Sequence, residues 1–544
     1  MVESHNARVR NDLTPWWKHG TIYQIYPRSY QDDNGDGIGD LAGIVKRLDY
    51  IAWLGIDAIW ISPFYPSPLA DGGYDVSNFV DVDPRLGDLA TFDALVERAH
   101  GLGIRVVVDI IPNHSSDEHP WFIESRSSRE SPKRDWYVWR DPRPGGSPPN
   151  NWICIWGGST WTFDERTGQY YLHLYHEKQP DLNWRNRAVQ QAMFDVFRFW
   201  LDRGVDGFRI DVAHAIMKDP ELRDNPPSTG PRSHRDFGDF DRQLHVHDRG
   251  HPDLHRVYRE LRPILDAHGA MAIGEIHEYD WTRWASYYGM DLDELHMPFN
   301  FGLLTAQWNA RSVREIVDSI ERALPKGAWP NWVLGNHDEP RIASRIGDAP
   351  ARVAMMLLLT LRGTPTLYYG DELGMRDVPI PPERVQDPWA LMNPDKPAFN
   401  RDPARTPMRW TAERHSGFCP GETEPWLPIG DDVAAINVQA QRDDTRSMLS
   451  LTRALLQVRR SNEALSLGDY APIEGVPADC YAYERALPHS NAVVVLSFAD
   501  EPRELTLSAL RDMRVAASTH MDRDDLSKDG HIVLRAHEGC VFTP

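Results

Sequence analysis

The chain has 544 residues, of which 59 are Lys or Arg and 80 are Asp or Glu, so its formal net charge is −21. This negative balance argues against proteins that meet phosphate with a positive surface, namely nucleic-acid binders and polybasic membrane-surface proteins. With 41% hydrophobic and 26% charged residues, the composition is that of an ordinary globular protein. The first residues hold no apolar signal-peptide core, and we expect a cytoplasmic protein without a membrane partner.

Short apolar runs alternate along the chain with segments of helical periodicity. The predicted strands lie at 21–26, 56–61, 104–111, 205–212, 270–276, 292–299, 332–336 and 364–369, and the predicted helices at about 43–53, 89–101, 188–203, 252–268, 312–322 and 349–362. Eight strands that alternate with helices predict the α/β class and a (β/α)₈ TIM barrel.

Two regions depart from this alternation. Residues 113–186, which follow the third strand, are rich in Trp, Pro, Gly and Asp and predict an inserted subdomain beside the barrel mouth. After a helix near 448–460 the pattern changes to short strand-like pieces, which predict a C-terminal β-sandwich. The predicted division is a barrel over 14–112 and 187–462, the inserted subdomain over 113–186, and the C-terminal domain over 463–544.

Ionisable residues stand at the ends of four predicted strands. The third strand carries Asp109, the fourth Arg209 and Asp211, and the fifth Glu275, while Asp338 follows the seventh. Because the C-terminal ends of barrel strands face the active-site mouth, we expect Asp211, Glu275 and Asp338 to surround one pocket. Paired carboxylates in one pocket are what glycoside hydrolysis requires.

These segments, together with Gly73-Tyr74-Asp75, resemble the conserved regions of the α-amylase superfamily of glycoside hydrolases, glycoside hydrolase family 13. Two further segments, Gln-Pro-Asp-Leu-Asn at 179–183 and Arg-Asp-Pro-Ala-Arg-Thr-Pro-Met-Arg-Trp at 401–410, resemble its exo-acting branch, the α-glucosidases and oligo-1,6-glucosidases. The resemblance covers about residues 14 to 460, and the final domain matches only by position.

The resemblance implies a retaining mechanism in which two carboxyl groups have separate roles. Asp211 corresponds to the nucleophile, Glu275 to the acid/base, and Asp338 to a third carboxylate that binds sugar hydroxyls. Arg209 lies two residues before Asp211 on the same strand, so we expect its charge to keep the nucleophile ionised. Glu275 must stay protonated until it donates, so we expect its surroundings to raise its pKa.

The resemblance also implies a closed pocket for one glucose unit. Tyr74 would offer its ring to the apolar side of the glucose, while Asp75 and Arg401 would bind hydroxyls at the non-reducing end. His337 and His114 would tighten their contacts as the sugar ring flattens in the transition state. A pocket closed at this end removes single glucose units.

A loop outside the pocket alternates oxygen-bearing side chains with glycine, at Asp32, Asn34, Asp36 and Asp40. This alternation allows the oxygens to curl round a hard cation, with the Ile38 carbonyl as a further ligand. The spacing also resembles the calcium loop of oligo-1,6-glucosidases, which implies a structural Ca²⁺. The alternative is an acidic glycine-rich turn without a metal, and we expect no organic cofactor.

Two other sets of polar residues have plainer interpretations. Glu372, after the eighth strand, matches a structural segment of the family rather than a catalytic one. His234, His245, His247 and His251 fit no metal-ligand spacing, so we interpret the surrounding segment, 218–253, as a solvated loop.

The favoured function is a retaining exo-α-glucosidase whose partners are small α-glucosides. A transglucosylase or sucrose-type isomerase that uses the same covalent intermediate is the alternative. A non-enzymatic, transporter-associated relative is disfavoured because both carboxylates are present.

Val212, beside Asp211, resembles the residue found at this position in the α-1,6-preferring enzymes, although a β-branched residue there could simply suit a strand. The sequence leaves open the preferred length and linkage of the substrate and the oligomeric state of the protein.

Overall fold

The computed structural model describes residues 14–230 and 237–544, and its centre is an eight-stranded parallel sheet. The strands, numbered 1 to 8 in chain order, are Ile22–Ile25, Ala58–Ile61, Arg105–Ile110, Gly207–Ile210, Met271–Gly274, Met297–Pro298, Asn331–Val333 and Thr364–Tyr368. A parallel bridge between Phe299 and Asn331 joins the two edges and closes the sheet. The predicted (β/α)₈ barrel is confirmed.

Several strands end earlier than the sequence predicted. Strand 4 stops at Ile210 and strand 7 at Val333. Strand 6 shows the largest difference and differs at its start: it begins at Met297 instead of Leu292, whose φ of 56° is a left-handed conformation that extended chain does not adopt. The residues beyond these ends leave the sheet, so their polar side chains are free to line the barrel mouth.

Helices surround the sheet and connect its strands. The longer ones are Leu41–Leu54, Leu89–Gly101, Arg187–Asp202, Leu254–Asp266, Ala310–Ala323, Asp348–Thr360 and Met448–Ser461. Shorter ones are Trp16–His19, Pro27–Tyr30, Pro120–Ser127, Trp281–Ala285, Gly302–Thr305, Ile342–Ile346, Pro388–Met392, Val438–Asp443 and Glu463–Leu467. Asp40, Asp88 and Asn309 begin three of the long helices by accepting hydrogen bonds from N–H groups of the first turn.

The insertion after strand 3 forms a three-stranded antiparallel sheet from Trp139–Arg140, Trp161–Asp164 and Gln169–Leu172. An antiparallel bridge between His114 and Asp181 ties its last part to the end of strand 3. The predicted range 113–186 contains this sheet, which therefore stands beside the barrel mouth.

The C-terminal domain packs a six-stranded sheet against a two-stranded one. The larger sheet holds Asp469–Pro472, Cys480–Leu487, Ser490–Ser497, Met513–Ser518, Leu526–Ser527 and Gly539–Thr543, and the smaller holds Arg503–Thr506 and His531–Leu534. The buried Arg485 side chain fastens this domain to the barrel by donating to the carbonyls of Thr360, at 2.6 Å, and Leu465, at 3.0 Å. The predicted C-terminal β domain is confirmed.

Glu372 is fully buried just after strand 8 and serves packing. Its carboxylate accepts hydrogen bonds from the hydroxyls of Tyr23, at 2.7 Å, and Tyr50, at 2.8 Å, which come from strand 1 and the first long helix. The structural interpretation of this acid is therefore supported. In residues 14–230 and 237–544, no helix combines the length and the apolar character that crossing a membrane requires.

Candidate active site

A cavity of about 400 Å³ opens at the C-terminal ends of the barrel strands. Its walls come from the strand ends, the inserted subdomain, the segment after strand 4 and the long segment after strand 8. Seven of the residues predicted from the sequence line it: Tyr74, His114, Asp211, Val212, Glu275, Asp338 and Arg401. Arg209 and His337 lie directly behind this wall, both almost fully buried.

The Arg209 guanidinium holds three carboxylates together at the base of the cavity. Its Nη1 atom is 2.8 Å from Asp109 Oδ1 and 2.7 Å from Asp211 Oδ1, and its Nη2 atom is 2.7 Å from Glu275 Oε2. Glu275 Oε2 also accepts from the backbone N–H of Val212, at 2.9 Å. The predicted nucleophile and acid/base therefore share one buried cation.

The charges of this cluster differ from the expectation based on sequence. Burial raises the pKa of Asp211 well above its usual range, and Arg209 offsets this only in part. Burial acts on Glu275 too, but Arg209, His277 and the Val212 N–H hold its pKa well below the usual range. The predicted direction for Glu275 is wrong, whereas at Asp211 Arg209 acts in the predicted direction but burial outweighs it.

A second ion cluster closes the far end of the cavity. Arg401 donates to Asp387, with Nη2 to Oδ1 at 2.7 Å, to Asp71 Oδ1 at 2.9 Å, and to Asp338 Oδ1 at 3.3 Å. Its guanidinium lies beside the stacked rings of Trp156 and Trp389, 5.7 and 5.6 Å from their centroids. Although burial favours the neutral acid, neighbouring positive charge keeps the pKa of Asp338 well below its usual range.

Tyr74 and His337 form a stacked pair between the two ion clusters. Their rings are parallel, with centroids 5.3 Å apart, and the Tyr74 hydroxyl lies 2.8 Å from His337 Nε2. The same hydroxyl donates to Asp109 Oδ2 at 3.0 Å. Burial lowers the pKa of His337 to about 3, so its imidazole is neutral. Its other ring nitrogen, Nδ1, lies 2.8 Å from Gln24 Nε2, so both nitrogens have protein partners and His337 supports Tyr74 from behind the cavity wall.

His114 is positioned by the inserted subdomain. Its Nε2 atom lies 3.1 Å from the amide nitrogen of Gln179, which donates to Asp71 Oδ2 at 3.1 Å. Lys218 secures the residue before His114 by donating to Asn113 Oδ1 at 2.7 Å. The Gln-Pro-Asp-Leu-Asn segment thus connects the insertion to both the strand 3 end and the closed end of the cavity.

Asp75 is a correction to the sequence-based site. Its carboxylate faces away from the cavity and accepts from the Ser67 hydroxyl at 2.9 Å and from the N–H groups of Ala70 and Asp71, at 2.7 and 2.9 Å. These bonds shape the loop that carries Asp71. Asp71, four residues earlier, occupies the place at the cavity that the resemblance assigned to Asp75.

Val212 adopts an unusual backbone conformation for a β-branched residue. Its φ is 36°, and it follows the end of strand 4 rather than lying within it. Strand preference therefore does not explain the residue. Backbone strain of this kind occurs where surrounding structure imposes it, as at functional sites, and here it directs the Val212 N–H at Glu275.

Several cavity residues escaped the sequence analysis. At the mouth, Leu244, Val246 and Tyr279 remain 51%, 37% and 47% exposed and form an apolar rim. His214 and His277 line the wall beside Glu275. Only His277 carried a sequence signal, its position two residues after Glu275.

The histidines of the 218–253 segment pair with acids rather than with one another. His245 Nδ1 lies 2.5 Å from Asp248 Oδ2, and His247 and His251 lie near Asp219 and Asp253. His234 is outside the described residues. The segment is not simply a solvated loop, because Phe240 and His245 line the cavity.

The loop at 32–40 directs its side-chain oxygens at the backbone. The two Asp32 oxygens accept from glycine N–H groups at 2.6 and 2.8 Å, Asn34 Oδ1 from the Asp36 N–H at 2.9 Å, and Asp36 Oδ1 from the Ile38 N–H at 2.8 Å. Asp40 caps the following helix. Across 14–230 and 237–544, no three His, Cys, Asp or Glu side chains converge on a position for a metal, so calcium stays a prediction.

The chain is similar to known proteins over most of its length. Residues 24–468 match the family model described as "Alpha amylase, catalytic domain". A probable alpha-glucosidase of Rhizobium meliloti (strain 1021) is 44% identical over 488 residues, 87% of this chain and 88% of that protein. The oligo-1,6-glucosidase of Parageobacillus thermoglucosidasius is 37% identical over 565 residues, 97% of this chain and 98% of that protein.

Two solved structures are similar over almost the whole length. The alpha-glucosyl transfer enzyme XgtA superposes with a TM-score of 0.90 at 41% identity, covering 97% of this chain and 99% of that one. The trehalulose synthase MutB from Pseudomonas mesoacidophila MX-45 gives a TM-score of 0.88 at 34% identity, covering 97% and 99%. The similar proteins thus include glucosidases as well as a glucosyl transfer enzyme.

The assignment of Asp71, rather than Asp75, to the cavity can be tested with a pair of isosteric variants. Asp71→Asn is expected to raise KM for α-glucosides about 10- to 100-fold, because a charged hydrogen-bond acceptor leaves the cavity. Its Tm should fall less than that of Asp75→Asn, because Arg401 keeps Asp387 and Asp338 as partners. Asp75→Asn is expected to lower stability by about 1–3 kcal/mol, because a buried acceptor of three bonds is altered. Steady-state kinetics and thermal unfolding separate the two. A raised KM with unchanged Tm in Asp75→Asn would restore the original assignment.

Proposed function

Because the chain belongs to the α-amylase family of glycoside hydrolases, we propose that it is a retaining exo-α-glucosidase. Its substrates are short α-glucosides, from which it removes the terminal non-reducing glucose. The observation that carries this proposal is the pair Asp211 and Glu275, which follow adjacent strands, line one cavity and contact the same guanidinium. A non-enzymatic role does not fit, since the glycoside hydrolase relatives match over nearly the whole chain.

In the first half of the reaction, Asp211 attacks the anomeric carbon. The bond from that carbon to the glycosidic oxygen breaks, and the oxygen takes both electrons and a proton from Glu275. In the second half, Glu275 removes a proton from water, whose oxygen displaces Asp211 and releases glucose. Each half passes through a positively charged sugar, which the ionised Asp338 and the cluster around Arg209 stabilise electrostatically.

The proposed reaction requires an ionised Asp211 and a protonated Glu275 in the Arg209 cluster. Burial raises the pKa of Asp211, whereas at Glu275 the effects of Arg209, His277 and the Val212 N–H outweigh burial and lower the pKa. Positive charge developing at the anomeric carbon favours an ionised Asp211, and a glycosidic oxygen beside Glu275 favours a neutral acid there. Arg209 contacts both carboxylates, so one proton can change its place in the cluster without changing the net charge.

The closed end of the cavity supports exo action. Arg401, Asp71 and the rings of Trp156 and Trp389 line the same cavity as Tyr74, and the buried Asp387 pairs with Arg401. A chain that continued past the non-reducing glucose would have to displace this buried ion cluster, which is costly because its charges would lose their partners. One glucose unit therefore fits beyond the scissile bond.

The two carboxylates should respond differently to removal of their charge. Asp211→Asn is expected to abolish turnover of every α-glucoside, because no nucleophile remains. Glu275→Gln is expected to lose about 10²- to 10⁴-fold on maltose, yet far less on 4-nitrophenyl α-glucoside, whose leaving group needs no proton. Near-normal turnover by Asp211→Asn in steady-state assays would exclude this mechanism.

Val212 is proposed to influence linkage preference. Its side chain lines the cavity beside the nucleophile, where an isopropyl group and a Thr side chain differ in hydrogen bonding. We expect action on both maltose and isomaltose, and expect Val212→Thr, which keeps the β-branched shape, to shift the kcat/KM ratio towards maltose by about 10- to 200-fold at most. No action on isomaltose, or an unchanged ratio in the variant, would show that this position does not set linkage.

Glucosyl transfer is the second candidate activity, and the apolar rim favours it. Leu244, Val246 and Tyr279 would shield the covalent intermediate from water while a sugar acceptor enters. XgtA and MutB, whose names describe glucosyl transfer and trehalulose synthesis, share the fold over almost the whole chain. Analysis of all products at high maltose and sucrose concentrations decides, since a transferase forms oligosaccharides or isomers before free glucose.

We also propose that the loop at 32–40 binds a structural Ca²⁺. The support is chemical: Asp32, Asn34, Asp36 and Asp40 each carry a side-chain oxygen, and burial raises the pKa of Asp32 and Asp40, a cost that a cation would offset. Ca²⁺ is then expected to raise Tm and EDTA or Asp36→Ala to lower it, with kcat unchanged, because the folded state alone binds the ion. Asp49→Ala, at an exposed site, is the control. Metal analysis without calcium, and no thermal shift on adding it, would exclude the site.

A further inference from the structure

His277 contacts the acid/base directly, although the reaction described above assigns it no task. It lies two residues after Glu275, and its Nε2 atom is 2.9 Å from Glu275 Oε1. Its ring stacks on Phe301, with centroids 4.5 Å apart and planes within 9°. The opposite side of the side chain is open to the cavity, with 42% of its surface exposed. The ring is therefore held in the cavity wall beside Glu275.

The two oxygens of Glu275 have different surroundings, and this identifies the one that carries the proton. Oε2 accepts from Arg209 and from the Val212 N–H, at 2.7 and 2.9 Å. Both partners are donors, so a proton on Oε2 would break one of these bonds. Among the described residues Oε1 contacts His277 alone, and the tautomer with hydrogen on Nε2 donates to this oxygen and leaves its second lone pair free. The acid proton therefore belongs on Oε1.

We propose that His277 is a positioning residue for Glu275, which holds the cavity-facing Oε1 oxygen and decides the pH range over which this carboxyl acts as an acid. This inference rests on the proposed function, in which Glu275 donates to the leaving group. When the proton moves from Oε1 to the glycosidic oxygen, the new carboxylate keeps its partners on Oε2, and His277 stabilises the charge left on Oε1. The same contact keeps Glu275 ready to take a proton from water in the second half.

The direction of the effect follows from what His277 does to the ionised acid. Its hydrogen bond is among the contacts that lower the pKa of Glu275. The other titratable or charged groups that face this pair come from five neighbouring segments and are Arg209, Asp211, His214, Asp109, Tyr175, Arg249 and Asp338. All of them remain when His277 is replaced. Loss of His277 therefore raises the pKa of Glu275, and the protonated acid persists to higher pH.

Two replacements separate the hydrogen bond from the packing of the ring. His277→Phe keeps a ring to stack on Phe301 and removes the bond, whereas His277→Gln keeps a donor and removes the ring. The measurement is the pH profile of kcat/KM on maltose and on 4-nitrophenyl α-glucoside, with thermal unfolding of each variant. His277→Leu is a second variant without the bond, should the phenylalanine disturb the fold.

His277→Phe is expected to move the alkaline limb on maltose upward by about half to one pH unit and to lower kcat/KM about 10-fold. Activity on the nitrophenyl substrate should fall by about twofold at most, because its leaving group needs no proton. His277→Gln should keep the alkaline limb of the unaltered enzyme. An unmoved limb in His277→Phe and His277→Leu, or equal losses on both substrates, would overturn the inference. If the unaltered protein releases no glucose from any α-glucoside, the proposed function itself fails, and the two failures are thus distinct.

Discussion

One buried guanidinium organises the chemistry of this protein. Arg209 comes from the middle of the sheet, where barrel strand 4 pairs in register with strand 3 at Asp109 and with strand 5 at Ile273. A lone cation at that depth would be prohibitively costly, so it requires carboxylates, and the neighbouring strand ends supply three of them. The nucleophile and the acid are therefore held together by the buried charge of Arg209, which needs their carboxylates as partners. Their protonation is a property of the cluster as a whole, because each carboxyl group interacts electrostatically with Arg209 and with the other two carboxyl groups.

The second ion cluster, around Arg401, gives the cavity its closed end and depends on more distant parts of the chain. Asp71 follows barrel strand 2, Asp338 follows strand 7, and Asp387 and Arg401 lie in the long segment after strand 8. The inserted subdomain reaches the same place through Gln179, which donates to Asp71. The irregular segments thus converge on one pocket that the strands alone could not close, and specificity resides in these loops.

Sequence reasoning reached the residues whose position follows from periodicity. Asp211 and Glu275 could be placed because each ends a short apolar run, and such ends converge in a parallel barrel. Asp71 and Asp75 could not be distinguished, since four residues of turn decide which carboxylate faces the cavity and which binds backbone N–H groups. The charges also escaped prediction: the pKa of Glu275 depends on how many donors reach it, which is a matter of three-dimensional packing.

The same limits apply to the fold. The barrel and the C-terminal domain follow from alternating patterns, but the cavity walls come from segments without periodicity, such as the rim at Leu244 and Val246. The central claim is a double displacement through a covalent bond to Asp211. Proton NMR of the first glucose released from an α-glucoside tests it most directly: retention predicts that α-glucose appears first and then mutarotates. Initial release of β-glucose would contradict the account.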